Sequence, residues 1–274
     1  MTVPTIAIIG AGNMGSCLIH GLIQNGHPAN KISASDSTEE KLSGLASIGI
    51  QTTTDNLQAI NHADVIIFAI KPQSFHAIAR ELAAYIQQHK PLILSIAAGI
   101  RESSIQTWLN GDIPIVRAMP NTPALIGCGA TALYANRHVS EEQHDEAESI
   151  LRSVGIVIWL EDENQMDAVT ALSGSGPAYF FLMMEALQQS AEKLGLTQET
   201  ARLLTLQTAL GAARMAIESG KPLEELRQNV TSKGGTTEKA VSVLEDNQLR
   251  AIYHKALTAA KERSEELAEM MEKL

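Results

Sequence analysis

Thr5-Ile6-Ala7-Ile8-Ile9-Gly10-Ala11-Gly12-Asn13-Met14-Gly15 decides the fold. A short β-branched run ends at a glycine, and Gly10, Gly12 and Gly15 carry the spacing G-x-G-x-x-G. Met14–Gln24 then places Leu18, Ile19, Leu22 and Ile23 at helical spacing. The glycine pattern is weak alone and gains force between a strand and a helix. There the first glycine allows a tight turn, the second lets a pyrophosphate approach the backbone, and the third lets helix and strand pack closely. The stretch reads as a dinucleotide-binding turn, against the plainer reading of a simple tight turn.

The same alternation continues outward. Ile32–Ser35 reads as a second strand, and Ser37 with Glu40 predicts a capping-box helix start. Val65–Ile70, Pro91–Ala98 and Ile113–Ala118 are apolar runs of the kind buried on both faces of a parallel sheet. Phe75–Gln88 and Ile105–Leu109 have helical spacing, and Ala130–Tyr134 and Gly155–Leu160 read as further strands. This predicts a doubly wound parallel sheet. Beyond Asp167 strand patterns cease, and helices are expected at Pro177–Leu194, Gln198–Ser219, Thr236–Leu244 and Leu249–Met271. Gly195 and Gly220 are placed to stop helices, and Thr197 to cap one. The expected organisation is a Rossmann α/β domain at 1–162 and an all-helical domain at 163–274.

Composition narrows the function. The chain has 274 residues, with 21 Lys plus Arg against 31 Asp plus Glu and a formal charge of −10. That balance argues against a nucleic-acid binder, whose affinity rests on cations meeting phosphates. Aromatic residues are only 4%, too few for base-stacking platforms. Cys17 and Cys128 make neither a disulfide framework nor a zinc site, and eight scattered histidines support no metal. No charged start leads into an apolar leader, and Val65–Ile70 is far short of a membrane span, so a cytoplasmic protein is expected. Ser173 stands where a G-x-S-x-G nucleophile turn needs glycine, which disfavours a serine hydrolase.

Asp36 lies at the end of the second strand, where an acid would hold the ribose 2′-hydroxyl of NAD and repel the 2′-phosphate of NADP. Ser35, Ser37 and Thr38 offer donors to a phosphate, and Lys41 follows one turn later. A plain helix-start acid is the bland alternative. These residues leave NAD and NADP both open. A Rossmann half also leaves the reaction open.

Three further loops carry chemistry: Met119-Pro120-Asn121-Thr122-Pro123 after a strand, Ser173-Gly174-Ser175-Gly176-Pro177 before a helix, and Asn229–Glu238 before another. The last two set small residues, amides and hydroxyls at a helix start, which suits a carboxylate or phosphate as well as simple capping. Together with Ile9–Met14, Val65–Pro72, Ser95–Gly99, Arg117–Pro123, Ala171–Tyr179 and Pro222–Glu245, they make the chain resemble the Δ1-pyrroline-5-carboxylate reductases. The Ser-x-Gly-Gly-Thr-Thr loop at Ser232–Thr237 is the most diagnostic part. Lys233 departs from the proline usual there.

The resemblance implies reduction of a cyclic imine carboxylate by NAD(P)H, the last step of proline synthesis. It implies a C-terminal helical domain that interlocks with a second subunit, in homodimers that often build decamers. By it, Gly234, Gly235 and Thr236 cradle the carboxylate, and Thr237 hydrogen-bonds the ring nitrogen and takes part in proton delivery. Ser175, Gly176 and Glu163 face the substrate, although Glu163 also reads as one solvated acid in Glu161-Asp162-Glu163. Ile9, Gly10, Ala11, Gly12, Asn13, Met14, Asp36, Asn56, Lys71, Ala98, Asn121 and Asn229 match cofactor positions. The family's habit favours NADPH over NADH by a narrow margin, and Asp36 works against it. A hydroxyacid dehydrogenase or other imine reductase on this architecture would want a lysine or aspartate in the interdomain helix. Ala171–Gln189 offers only Glu185. A dinucleotide-dependent sensor is the non-enzymatic alternative.

Overall fold

The computed structural model describes residues 3–273. Its first half is built from β1 (Ile6–Ile9), α1 (Asn13–Gln24), β2 (Ile32–Ser35), α2 (Glu39–Ala46), β3 (Gln51–Thr53), α3 (Asn56–Ile60), β4 (Val65–Phe68), α4 (Pro72–His89), β5 (Leu92–Ser95), α5 (Glu102–Trp108), β6 (Ile115–Met119), β7 (Gly129–Ala135), α6 (Glu141–Arg152) and β8 (Gly155–Trp159). The strands form one sheet in the order β3-β2-β1-β4-β5-β6-β7-β8. The order reverses between β1 and β4, so their carboxyl ends flank the crevice where open α/β sheets bind ligands.

The strands are continuous apolar runs because both faces are covered. Side chains alternate across a strand. Ile6 and Ile8 pack with Leu18, Ile19 and Leu22 of α1 on one face. Ala7 and Ile9 pack with Phe75, Leu82 and Ile86 of α4 on the other. The sheet is not wholly parallel as expected: β7 runs antiparallel to β6. The link between them, residues 120–128, is shorter than the dozen or so residues that a parallel crossover needs. The capping box expected at Ser37 and Glu40 also does not form. Helix α2 starts at Glu39 with Thr38 at its N-cap and no side-chain cap bond, and Asp36 takes the Thr38 amide instead.

Beyond β8 come α7 (Met166–Val169), α8 (Gly176–Lys193), α9 (Gln198–Ser219), α10 (Leu223–Asn229), α11 (Thr236–Asp246) and α12 (Leu249–Glu272). Gly195 follows α8, Gly220 is the C-cap of α9, and Thr197 caps α9 by accepting from the Thr200 amide at 3.2 Å. Compactness divides the chain elsewhere than at the expected 162. One unit is Met1–Ser175 with Ala259–Leu274, and the other is Gly176–Thr258. The end of α12 belongs to the first unit through Ser264, whose hydroxyl donates to Asp167 at 2.6 Å, the Arg101–Glu272 ion pair, and Met271 packed on the sheet's second core.

Candidate functional site

In the first unit the glycine turn is shaped as its spacing requires. Gly10 has φ +102°, and a Cβ there would lie 2.5 Å from the Ala69 carbonyl oxygen. A Cβ on Gly15 would lie 2.1 Å from the Gly10 carbonyl oxygen, which is the close helix–strand approach. A Cβ on Gly12 would meet nothing within 4 Å, so the open side of the turn is bare backbone. Helix α1 starts at Gly12 with no side-chain cap and no acid in its first turn. Its first amides therefore suit an anion. These features fit the pyrophosphate of a dinucleotide.

Beside the turn is a cavity of about 390 Å³ that brings together Ile9, Gly10, Gly12, Asp36, Asn56 and Lys71. Six of the expected cofactor positions thus meet at the β1/β4 reversal. Ala11, Gly12 and Asn13 also border a neighbouring cavity of about 850 Å³ against Ala124–Gly127. Met14 is half-buried against the core. Ala98 is exposed after β5, and Lys71 is the exposed N-cap of α4. Asn56 accepts from the Ser35 hydroxyl at 2.7 Å, which ties α3 to the end of β2.

Asp36 is the most constrained group in the cavity. Its Oδ2 accepts from the Ala11 amide and its Oδ1 from the Thr38 amide, both at 3.0 Å, and Lys41 Nζ lies 3.2 and 3.3 Å from the two oxygens. Burial pushes this carboxyl up, but the Thr38 amide, Lys41 and the Ala11 amide outweigh it and hold it below the usual carboxylate range.

Asn121 uses its side chain to join three segments. Its Nδ2 donates to the carbonyl and hydroxyl of Ser173 at 3.2 Å, and its Oδ1 accepts from the Ala130 amide at 2.9 Å. The segment it holds is a π-turn, Thr170–Gly174, closed by the Ser175 amide on the Thr170 carbonyl at 2.9 Å. Such turns concentrate at functional positions.

Glu163 is not a solvated acid, and it lines neither cavity at the glycine turn. Its Oε1 accepts from the Glu102 amide at the start of α5 and from the buried Arg117 guanidinium. Asn136 joins the group by donating to Glu102 at 2.7 Å. Sequence reading missed this arrangement because nothing in the spacing of residues 102, 117, 136 and 163 joins them.

The second unit presents the other loop. Gly234 has φ +73°, Gly235 is the N-cap of α11 with no side-chain cap, and Thr236 and Thr237 form the helix's first turn. The Gly235 amide donates to the Ser232 carbonyl at 3.0 Å. The Gly234 amide donates to Glu238 Oε2 at 2.6 Å, so an acid of the chain already sits on one amide of the expected carboxylate cradle. Glu238 was not among the expected site residues. Asn229 is the last residue of α10, and Gly176 opens α8.

A model of pyrroline-5-carboxylate reductase dimerisation matches residues 163–267, and one of coenzyme F420-dependent NADP oxidoreductases matches residues 5–99. A pyrroline-5-carboxylate reductase of Pseudomonas aeruginosa is 50% identical over 272 residues, 99% of each chain. The structure of a pyrroline-5-carboxylate reductase from Coxiella burnetii superposes with a TM-score of 0.94 at 48% identity, covering 97% of this chain and 99% of that one. The Plasmodium falciparum pyrroline carboxylate reductase, solved with NADP bound, has a TM-score of 0.87 at 29% identity, covering 98% and 99%. The chain belongs to the pyrroline-5-carboxylate reductase family.

Proposed function

We propose that the chain reduces L-1-pyrroline-5-carboxylate to L-proline with NAD(P)H, the final step of proline biosynthesis. The observation that carries this is the Gly234–Thr237 loop. It is a left-handed glycine turn leading into a helix start with no side-chain cap at Gly235. Glycine at the N-cap leaves the first amides of α11 with no side-chain acceptor. A helix start open in this way suits an anion from outside. The open glycine turn at Gly10–Gly15 supplies the other half of the chemistry.

When bound, the reduced nicotinamide supplies the hydride that the imine carbon accepts. The chain supplies the rest. The amides of Gly234 and Gly235 and the hydroxyl of Thr236 hold the carboxylate, with Glu238 giving up the Gly234 amide and the Ser232 carbonyl giving up the Gly235 amide as they do so. Thr237 hydrogen-bonds the ring nitrogen and takes part in delivering its proton, which keeps the adjacent carbon electrophilic. By the resemblance, Ser175 and Gly176 face the substrate and Asn229 belongs with the cofactor positions. Gly10–Met14, Asn56, Lys71, Ala98 and Asn121 position the dinucleotide. Alignment of two such reactants is worth on the order of 7–11 kcal/mol of barrier, so positioning supplies much of the rate.

Residues 163–274 act as the substrate-binding and dimerisation half. The minimum assembly is a homodimer, and the resemblance extends it to a decamer. Among the described residues no helix is long and apolar enough to cross a membrane, and Cys17 and Cys128 are both free, which supports a cytoplasmic setting. The test is consumption of NADH and NADPH by purified protein given pyrroline-5-carboxylate, with the product analysed. Formation of proline supports the proposal. Failure with both cofactors, from folded protein that still binds dinucleotide, overturns it.

A further inference from the structure

We infer that Asn121 and Ser173 form a staple that makes the cofactor-side loop after β6 and the substrate-side turn before α8 one body. The Asn121 side chain then serves the reaction through Ser173, as a positioning residue, and not by touching the dinucleotide. The inference rests on the reading of the chain as a nicotinamide-dependent imine reductase.

The Asn121 side-chain amide is fully engaged. Its Oδ1 accepts from the Ala130 amide of β7 at 2.9 Å, which fixes which end of the side chain is oxygen. The other end, Nδ2, lies 3.2 Å from both the carbonyl and the hydroxyl oxygen of Ser173. An amide nitrogen carries two donor hydrogens, so none is left for a nicotinamide or a phosphate. A tie that only steadied the loop would need the Ala130 amide alone, 9 residues away. The donors reach 52 residues along the chain instead.

They reach the π-turn Thr170–Gly174, a rare conformation that its surroundings must hold. Two further contacts press it on the same loop and strand. The Ser173 hydroxyl, which accepts from Asn121, donates onward to the Ala130 carbonyl at 3.4 Å. A Cβ on Gly174 would lie 2.4 Å from Cε of Met119, the last residue of β6. Asn121 stands among the expected cofactor positions, and Ser175 and Gly176, expected to face the substrate, follow the turn directly. Hydride transfer needs its two partners held in register, and a misplacement of about 1 Å can cost about a hundredfold in rate. The staple joins the segments that carry the two partners.

The test is hydrogen exchange over residues 170–175, read by mass spectrometry with and without NADH, in wild type, Asn121→Ala, Ser173→Ala and Ser173→Thr. Thermal melting, NADH titration and steady-state kinetics accompany it. In wild type NADH should slow exchange in this segment. Each alanine variant should speed it by about tenfold in the free protein, the size of a lost hydrogen bond, and uncouple it from NADH. Ser173→Thr keeps the hydroxyl and should restore the wild-type pattern. The two alanine losses should not add, because they break one contact. In turnover both alanine variants should lose at least about tenfold in kcat while the NADH dissociation constant moves by less than about threefold. If Asn121→Ala fails to fold, Ser173→Ala carries the test. NADH affinity lost in step with kcat in Asn121→Ala would overturn the inference, since it marks direct contact with the dinucleotide. Unchanged exchange and turnover in both alanine variants would mark an ordinary loop tie and overturn it too. The expected exchange pattern without turnover by wild type would defeat the reductase reading and leave the staple standing. Turnover by wild type with exchange indifferent to NADH would do the reverse.

Discussion

The two units bury apolar side chains to opposite extents. In the first, every residue of β1, β4 and β5 is buried, and Phe68, Phe75 and Leu82 are fully enclosed between sheet and helices. In the second, α8 and α9 each bury a single residue, Gly176 and Ala201. Phe180, Phe181, Leu187, Leu204, Leu210 and Met215 all stand exposed. A helix apolar on several sides belongs inside a core, and exposed apolar surface on this scale marks an interaction surface. The first unit closes its core from its own sequence. The second carries half of a core, in keeping with the dimerisation model that matches it.

That contrast can be broken by mutation. Phe75→Ala should destabilise the first unit by about 3–5 kcal/mol, independent of protein concentration, in chemical denaturation. Glu163→Ala removes the partner of buried Arg117 and should cost up to about 3–5 kcal/mol, reduced by the partial exposure of Glu163. A loss of turnover with unchanged stability would instead return Glu163 to the substrate. Leu204→Glu should leave secondary structure intact and weaken dimerisation at least about tenfold, since a buried leucine is worth about 1.5–3 kcal/mol and an unpaired charge adds to the loss. Sedimentation over a dilution series measures it, and an unchanged dimer would show that this face lies outside the interface. Thr237→Ala should lower kcat by about a hundredfold, the low end for a group assisting proton transfer, without changing the melting temperature. Unaltered turnover and substrate affinity would dismiss that hydroxyl. Thr197→Ala, which removes one cap, should cost only about 1 kcal/mol.

What could be read in advance follows the same division. The runs Val65–Phe68 and Leu92–Ser95 announced a sheet covered on both faces because burial on both faces leaves no polar positions. Strand β3 was missed because Gln51–Thr53 is polar, short and partly exposed at the sheet edge. Helix α6 carried a legible signal, the capping box of Ser140 with Gln143, that went unread. The reversed β7 has no signature of its own beyond the shortness of the link before it. In the site, Gly10 and Gly12 are legible because motif spacing places them on one turn, and Asp36 because it ends the second strand at the distance from that turn where such folds carry an acid. The grip of Arg117 on Glu163 and of Glu238 on Gly234 depends on side-chain directions, which no spacing records.

The most direct measurement uses nicotinamide cofactor carrying deuterium on the transferring face of C4, mixed with purified protein and pyrroline-5-carboxylate, and locates the label by mass spectrometry and NMR. The account predicts proline with one deuterium on the former imine carbon, in step with cofactor consumed. Absence of proline, or proline without the label, would contradict hydride transfer to the cyclic imine.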